Sequence, residues 1–264
     1  MSRSSYPLIQ ARREGATSTT TGATCASRGS ASVGACTSAR CSALTDRRAG
    51  DPVRRMASQL PAPSLQRLLR APEVALAEVV AHLDKLSHDD RREQLAALKR
   101  GDQRRLWGLA EGAPPITRDF FVPDGVGPRK AVHHDGKNTL PIPGFTRFQK
   151  VFARPDDGSP RLFGYNHGRS EGIIGPGYFV TVDTAGNEAW VKRGPVVVDY
   201  FQVPDGPVPE GWPRVRPNSQ GLQYFVYHRT RDFMRRVSQH VSIGAAYKVE
   251  RALDHYFTLC RQDP

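Results

Sequence analysis

No run of about 18 apolar residues occurs in the 264-residue chain, which excludes a transmembrane helix. Cysteine is scarce: Cys25, Cys36 and Cys41 fall in the first 55 residues and only Cys260 lies beyond. A secreted disulfide scaffold distributes its cysteines through the folded part, so a reducing, cytoplasmic compartment is expected. The 25/36/41 spacing has no CxxC pair and no nearby histidine, and no metal is expected there. Cys260 reads as a small apolar residue on a terminal strand. Catalytic signatures are missing as well. There is no G-x-S-x-G elbow, no HExxH, no EF-hand loop and no glycine-rich phosphate loop, so no cofactor is expected. Gly175-Pro176-Gly177 leads into a strand rather than a helix, and reads as a sharp bend beside the sheet.

What is plentiful is positive charge, and its distribution weakens it as a clue. Lys+Arg 38 against Asp+Glu 26 gives +12. Residues 1–55 hold nine Arg and three acids, a net of +6, which leaves 29 basic and 23 acidic side chains and another +6 for the other 209 residues. The first 55 residues also contain sixteen Ser or Thr and no Lys, Phe or Trp. With no apolar periodicity they cannot build a core. They are read as an extension outside the fold: a disordered tail, an Arg/Ser-rich targeting peptide, or translated upstream DNA preceding a start at Met56.

Residues 56–112 read as helical. Pro72 and Glu73 suit a first turn, and Leu76, Val79, Val80, Leu83 and Leu86 form one apolar stripe. Ser87 with Asp90 resembles a capping box opening a second helix with Leu95 and Leu98 inward and Arg91 and Arg92 outward. Gly101 is expected to end it and Asp102 to cap a third, carrying Leu106, Trp107 and Leu109. Arg91, Arg92, Lys99, Arg100, Arg104 and Arg105 form a basic set, diluted by nearby acids. Residues 113–144 read as a Pro-rich linker, with His133 to Asn138 a polar turn.

Residues 145–264 carry most of the strand signal. Strands are expected over Phe145–Phe152, Arg161–Tyr165, Tyr178–Val182, Glu188–Val191 and Pro195–Val203, then a helix over 219–237, then strands at Val241–Ala245 and Tyr256–Cys260. The expected fold is α+β: an N-terminal helical hairpin, then a mostly antiparallel curved sheet or partial barrel packed on one C-terminal helix.

Tyr165, Asn166, His167 and Arg169 form the densest neutral-polar cluster, ahead of the Gly172–Gly177 loop. With His255 on the face of Phe257 and Leu259, they are the candidate ligand-binding residues. The segments GYNHGRSEGIIGPGYFV, VVVDY, GWP, VYH and RRVSQHVSIGAA resemble a pattern of uncharacterised bacterial proteins, myxobacterial among them. The resemblance spans roughly residues 75–262 and implies a bacterial domain, with no activity, substrate or site residues attached.

Three functions fit. The first is a non-catalytic domain binding a small apolar or amphipathic ligand, in line with the aromatic content of 145–260. The second is an enzyme using His167, His228, His240 or His255 with Asp199 or Asp254. The third is a nucleic-acid or anionic-surface binder through the Arg-rich helices, disfavoured by the mild charge beyond residue 55. The pattern leaves the oligomeric state open.

Overall fold

The computed structural model describes residues 63–140, 146–169 and 171–262. The chain divides into two units, Met1–Ala57 and Ser58–Pro264, and every described residue belongs to the second. The readings made of residues 1–55, of Met56 and of Phe145 lie outside the described residues.

Three of the four helices match expectation, but Pro72 and Glu73 lie in a turn ahead of the first of these three, and Arg91 is buried and not outward. Helix α1 (Leu65–Arg70) precedes α2 (Leu76–Asp84), α3 (His88–Ala96) and α4 (Arg100–Leu109). Ser87 caps α3, its Oγ accepting from the Asp90 amide at 3.1 Å. Asp102 sits in the first turn of α4 and not at its cap: its carboxylate accepts from the Lys99 amide at 2.9 Å, so Gly101 lies inside the helix. Leu65, Leu69, Val79, Leu83, Leu95, Leu98 and Leu106 form one buried cluster.

That cluster covers part of the outer wall of an eight-stranded barrel. Strands β1 (Val132–Asn138), β2 (Arg147–Ala153), β3 (Leu162–His167), β4 (Phe179–Asp183), β5 (Val196–Asp199), β6 (Thr230–Arg236), β7 (Val241–Lys248) and β8 (Arg251–Arg261) pair antiparallel in chain order. β8 pairs with both β7 and β1 and closes the ring, so the sheet is a complete barrel and not a partial one. Closure leaves no edge strand exposed.

Three local expectations are corrected. The helix over 219–237 is a single turn (Gln223–Val226) followed by β6. Arg229 at φ 58 interrupts the helical path, and Thr230, Asp232 and Met234 then alternate with Arg231, Phe233 and Arg235. Glu188–Val191 is a helical turn started by Asn187, whose side chain accepts from the Trp190 amide. His133–Asn138 is strand and not turn, because β2 and β8 satisfy its backbone on both sides. That strand, and the short helix α5 (Arg118–Phe121), occupy the segment read as a linker.

Consecutive connections of such a barrel alternate between its two ends. The last residues of β1, β3, β5 and β7 therefore share one end. The chain entering β1 arrives at the other, where α5 presses Phe121 against Val132, Phe152, Leu162, Phe179 and Met234. One end is thus a packed floor. Higher up, three cross-strand pairs set a glycine opposite a phenylalanine: Gly136↔Phe148, Gly164↔Phe179 and Gly244↔Phe257. A Cβ at any of these glycines would lie within 2.6 Å of the partner ring, so each ring lies flat over its glycine and inside the barrel.

Gly164→Ala is expected to cost about 1–3 kcal/mol in urea unfolding through overpacking, since its Cβ would also meet the Val151 carbonyl at 2.6 Å. Gly108→Ala in α4, with nothing within 4 Å, is expected to raise stability by about 0.4–1 kcal/mol.

Candidate functional site

The interior face of β2 reads Phe148, Lys150, Phe152, with a lysine where an apolar side chain would pack. Strand alternation puts Lys150 beside Asn166 of β3, and its length carries Nζ across to β6. There it lies 3.1 Å from Asp232 Oδ2 and donates to Asn166 Oδ1 at 3.0 Å and to the Tyr200 hydroxyl. Three acceptors match the three protons of an ammonium. The Phe179, Phe257, Tyr200 and Phe148 rings surround it with centroids 4.8–5.8 Å from Nζ.

Burial governs the protonation of this group. Loss of hydration pushes the Lys150 ammonium below its ordinary value, against the attraction of Asp232. It pushes the Asp232 carboxyl up, against the pull of Lys150. Burial also raises the Tyr200 phenol well above its usual range. Both members of the pair are therefore biased toward their neutral forms. Asn166 is fixed in turn, its Nδ2 donating to the Gly177 carbonyl at 3.0 Å and to the Tyr200 hydroxyl at 3.1 Å.

Above the cluster a cavity of about 480 Å³ runs to the open end. Its polar base is Lys150, Asp232, Tyr200 and Asn166; Phe148, Phe257, Tyr227 and Ala246 form the wall, and Leu140, Ile174, Phe225 and Leu253 the mouth. The connections at the mouth are tied to one another. Gln223 donates to the Pro217 carbonyl at 2.8 Å and accepts from the Gly177 amide at 3.3 Å, and Asn218 donates to the Tyr178 and Tyr200 carbonyls. Gly177, at φ 53, lets the backbone pass under Tyr227, whose ring a Cβ would meet at 2.4 Å. The Gly175-Pro176-Gly177 bend also returns the Pro176 carbonyl to the Asn166 amide at 2.7 Å.

The five residues singled out from sequence separate. Asn166 and His255 line the cavity. Burial and the charge of Arg100 push the His255 imidazole down, and its Nδ1 is buried without a hydrogen-bond partner among the described residues. Tyr165 points to the outside of the barrel, against Tyr178 and Trp212. His167 and Arg169 line a separate, shallower groove with Arg147 and Gln149, and His167 pairs with Glu171 at 2.7 Å. Lys150, Asp232 and Tyr200 were not among the candidates. The readable signal was a lysine flanked at i−2 and i+2 by phenylalanines on one strand face.

Comparison with protein-family models, curated proteins and solved structures finds no match.

A second constellation lies on the outer wall. Cys260 Sγ is 3.8 Å from His88 Nδ1, and His88 Nε2 is 3.0 Å from Asp135 Oδ2. Thiol, imidazole and carboxylate stand in the order of an activated nucleophile, but the sulfur is 0 % exposed between wall and helices. No substrate reaches it there, and the contacts tie α3 to the barrel. Among the described residues no group of three or more His, Cys, Asp and Glu is placed to hold a metal ion, and no helix is long and apolar enough to cross a membrane.

Breaking the central pair on one side is expected to cost about 3–5 kcal/mol, as in Lys150→Met or Asp232→Asn. The double variant Lys150→Met/Asp232→Leu should cost less than the sum of the singles in a denaturant-measured mutant cycle. A pH effect arises lower in the barrel. His134 donates Nε2–H to the Phe121 carbonyl at 2.9 Å, and burial lowers its imidazole from 6.5 to about 3. The unfolded chain thus binds a proton below 6.5 that the folded chain refuses until about 3, and stability falls as pH drops through that window. Between about pH 7 and about pH 4.5 the native chain should lose about 2–3 kcal/mol more than His134→Gln. Equal losses would remove His134 as the cause.

Proposed function

We propose that the barrel is a binding domain for a small amphipathic molecule, held with its polar end at the Lys150–Asp232 cluster and its apolar body in the upper cavity. The observation that carries this reading is the shape and chemistry of the interior: a cavity of about 480 Å³, within the range of roughly 300–1,000 Å³ usual for ligand sites. Its lining is mostly apolar, with Lys150, Asp232, Tyr200 and Asn166 converging at one end and Asn138, Lys248 and His255 outside that group. The rim supports the same reading. Ile173, Leu222, Phe225 and Leu253 are exposed at the open end, Phe225 by 72 %, a concentration of apolar surface that solvent alone does not favour.

The other two readings find less support. The aspartates proposed for an enzyme are engaged by arginines: Asp254 pairs with Arg104, and Asp199 lies 3.2 Å from Arg231. The basic set of the helices is largely engaged within the protein. Arg91 is buried and donates to the Leu83 and Leu86 carbonyls, Arg100 to the Thr139 carbonyl, and Arg105 to those of Ala71 and Pro72. Arginines so committed offer little to a phosphate backbone.

Native mass spectrometry of the full chain with added decanol is expected to show one retained molecule that is lost on denaturation. Ala246→Trp, which puts an indole opposite Asp232, should weaken that retention by about tenfold or more. A chain that retains no decanol, or retains it equally with Trp at 246, would remove the reading.

A further inference from the structure

We infer that Lys150 is a covalent capture site: its amine condenses with the carbonyl of an aliphatic aldehyde or ketone bound in the cavity, forming an imine. The inference rests on the ligand-binding reading above and assigns the polar end of the ligand.

The arrangement of the cluster selects a carbonyl over other polar heads. An anionic head would bring its charge to a base where the ammonium is already matched by Asp232 at 3.1 Å, so it would gain little and would face a second carboxylate. A cationic head would meet Lys150 itself. A neutral electrophile meets neither obstacle and uses what the pair can do, which is to move one proton internally. Asn166 has both amide protons directed at protein oxygens, Gly177 O and Tyr200 Oη, so it holds the cluster in place and does not compete for the ligand.

The step balances within these groups. Asp232 Oδ2 takes one proton from the Lys150 ammonium, which frees the Nζ lone pair. Nζ adds to the carbonyl carbon, and the C=O π electrons move to oxygen. That oxygen receives a second proton from nitrogen, giving a carbinolamine. Asp232 returns its proton to the hydroxyl, which leaves as water while the nitrogen lone pair forms the C=N bond. The product is a protonated imine beside a restored Asp232 carboxylate, with one water released and no oxidant or reductant consumed. The pair is neutral overall at the start and at the end, so the low-dielectric interior bears no new net charge. The ring cage that surrounds the ammonium surrounds the iminium equally. A lysine desolvated in an apolar pocket is the usual setting for this chemistry.

The experiment uses the full chain, decanal as probe and cyanoborohydride to reduce the imine to a stable amine, with the adduct mapped by peptide mass spectrometry. At substoichiometric decanal, Lys150 is expected to be the most labelled of the chain's lysines, and excess decanol should suppress that label. Asp232→Asn should slow labelling by about 100-fold. Lys150→Arg should abolish the label while keeping the native circular dichroism spectrum; should that variant not fold, the wild-type peptide map still decides. Label spread over Lys248 and the other lysines as in the denatured chain, or no adduct although decanol is retained, would overturn the imine and leave the binding domain standing. Retention of neither decanol nor decanal would overturn both.

Discussion

The interaction on which the interior depends is the contact between Lys150 and Asp232 across the barrel. It joins β2 to β6, strands not paired with each other, and divides the lumen into two parts. Below it, Phe121, Phe152 and Met234 fill the space as a core. Above it, side chains stop meeting and a cavity remains. An ion pair in such a place is poor economy for stability alone, because desolvation offsets much of the Coulomb attraction and an apolar pair of equal volume would serve as well. A polar pair at the boundary between core and cavity instead leaves charged and hydrogen-bonding groups facing the space above.

That boundary is built by backbone as much as by side chains. The three glycines at 136, 164 and 244 leave room for the rings of Phe148, Phe179 and Phe257, and those rings wall the lysine. A side chain on any of the three glycines would move a ring and with it the shape of the cage. The connections at the open end are locked in the same manner, through Gln223 and Asn218, so the mouth is held by hydrogen bonds between loops and not by strand pairing. The outer helices act elsewhere. They cover the wall formed by Val241, Ile243 and Cys260, and most of their arginines serve backbone carbonyls or carboxylates of this same chain. Charge that looks like a binding surface in one dimension is packing in three.

Much of the outline was legible in the chain itself. The helical stripe at Leu76 to Leu86, the cap at Ser87, the run at Val196–Val198 and the bend at 175–177 rest on local rules, and local rules hold because each concerns residues a few positions apart. Asn166 could be picked from the polar cluster ahead of the Gly172–Gly177 loop, and His255 from its place on an apolar strand face. The segment 219–237 misled because its apolar residues satisfy helical spacing by coincidence, while pairing with β5 and β7 on both sides made the strand the lower-energy state. Likewise His133–Asn138 has no strand propensity worth the name and becomes a strand because two neighbours complete its hydrogen bonds.

What the sequence by itself determined is thus the inventory and the local conformations: where helices start, which strand faces are apolar, and that one lysine sits between two phenylalanines at strand spacing. Only the tertiary structure decided that the sheet closes, and closure is what brings Lys150, Tyr200 and Asp232 together from positions 50 and 82 residues apart in the chain. The physical reason is that a barrel's interior is a product of strand number and register, both non-local quantities. No window of sequence contains the register between the first strand and the last.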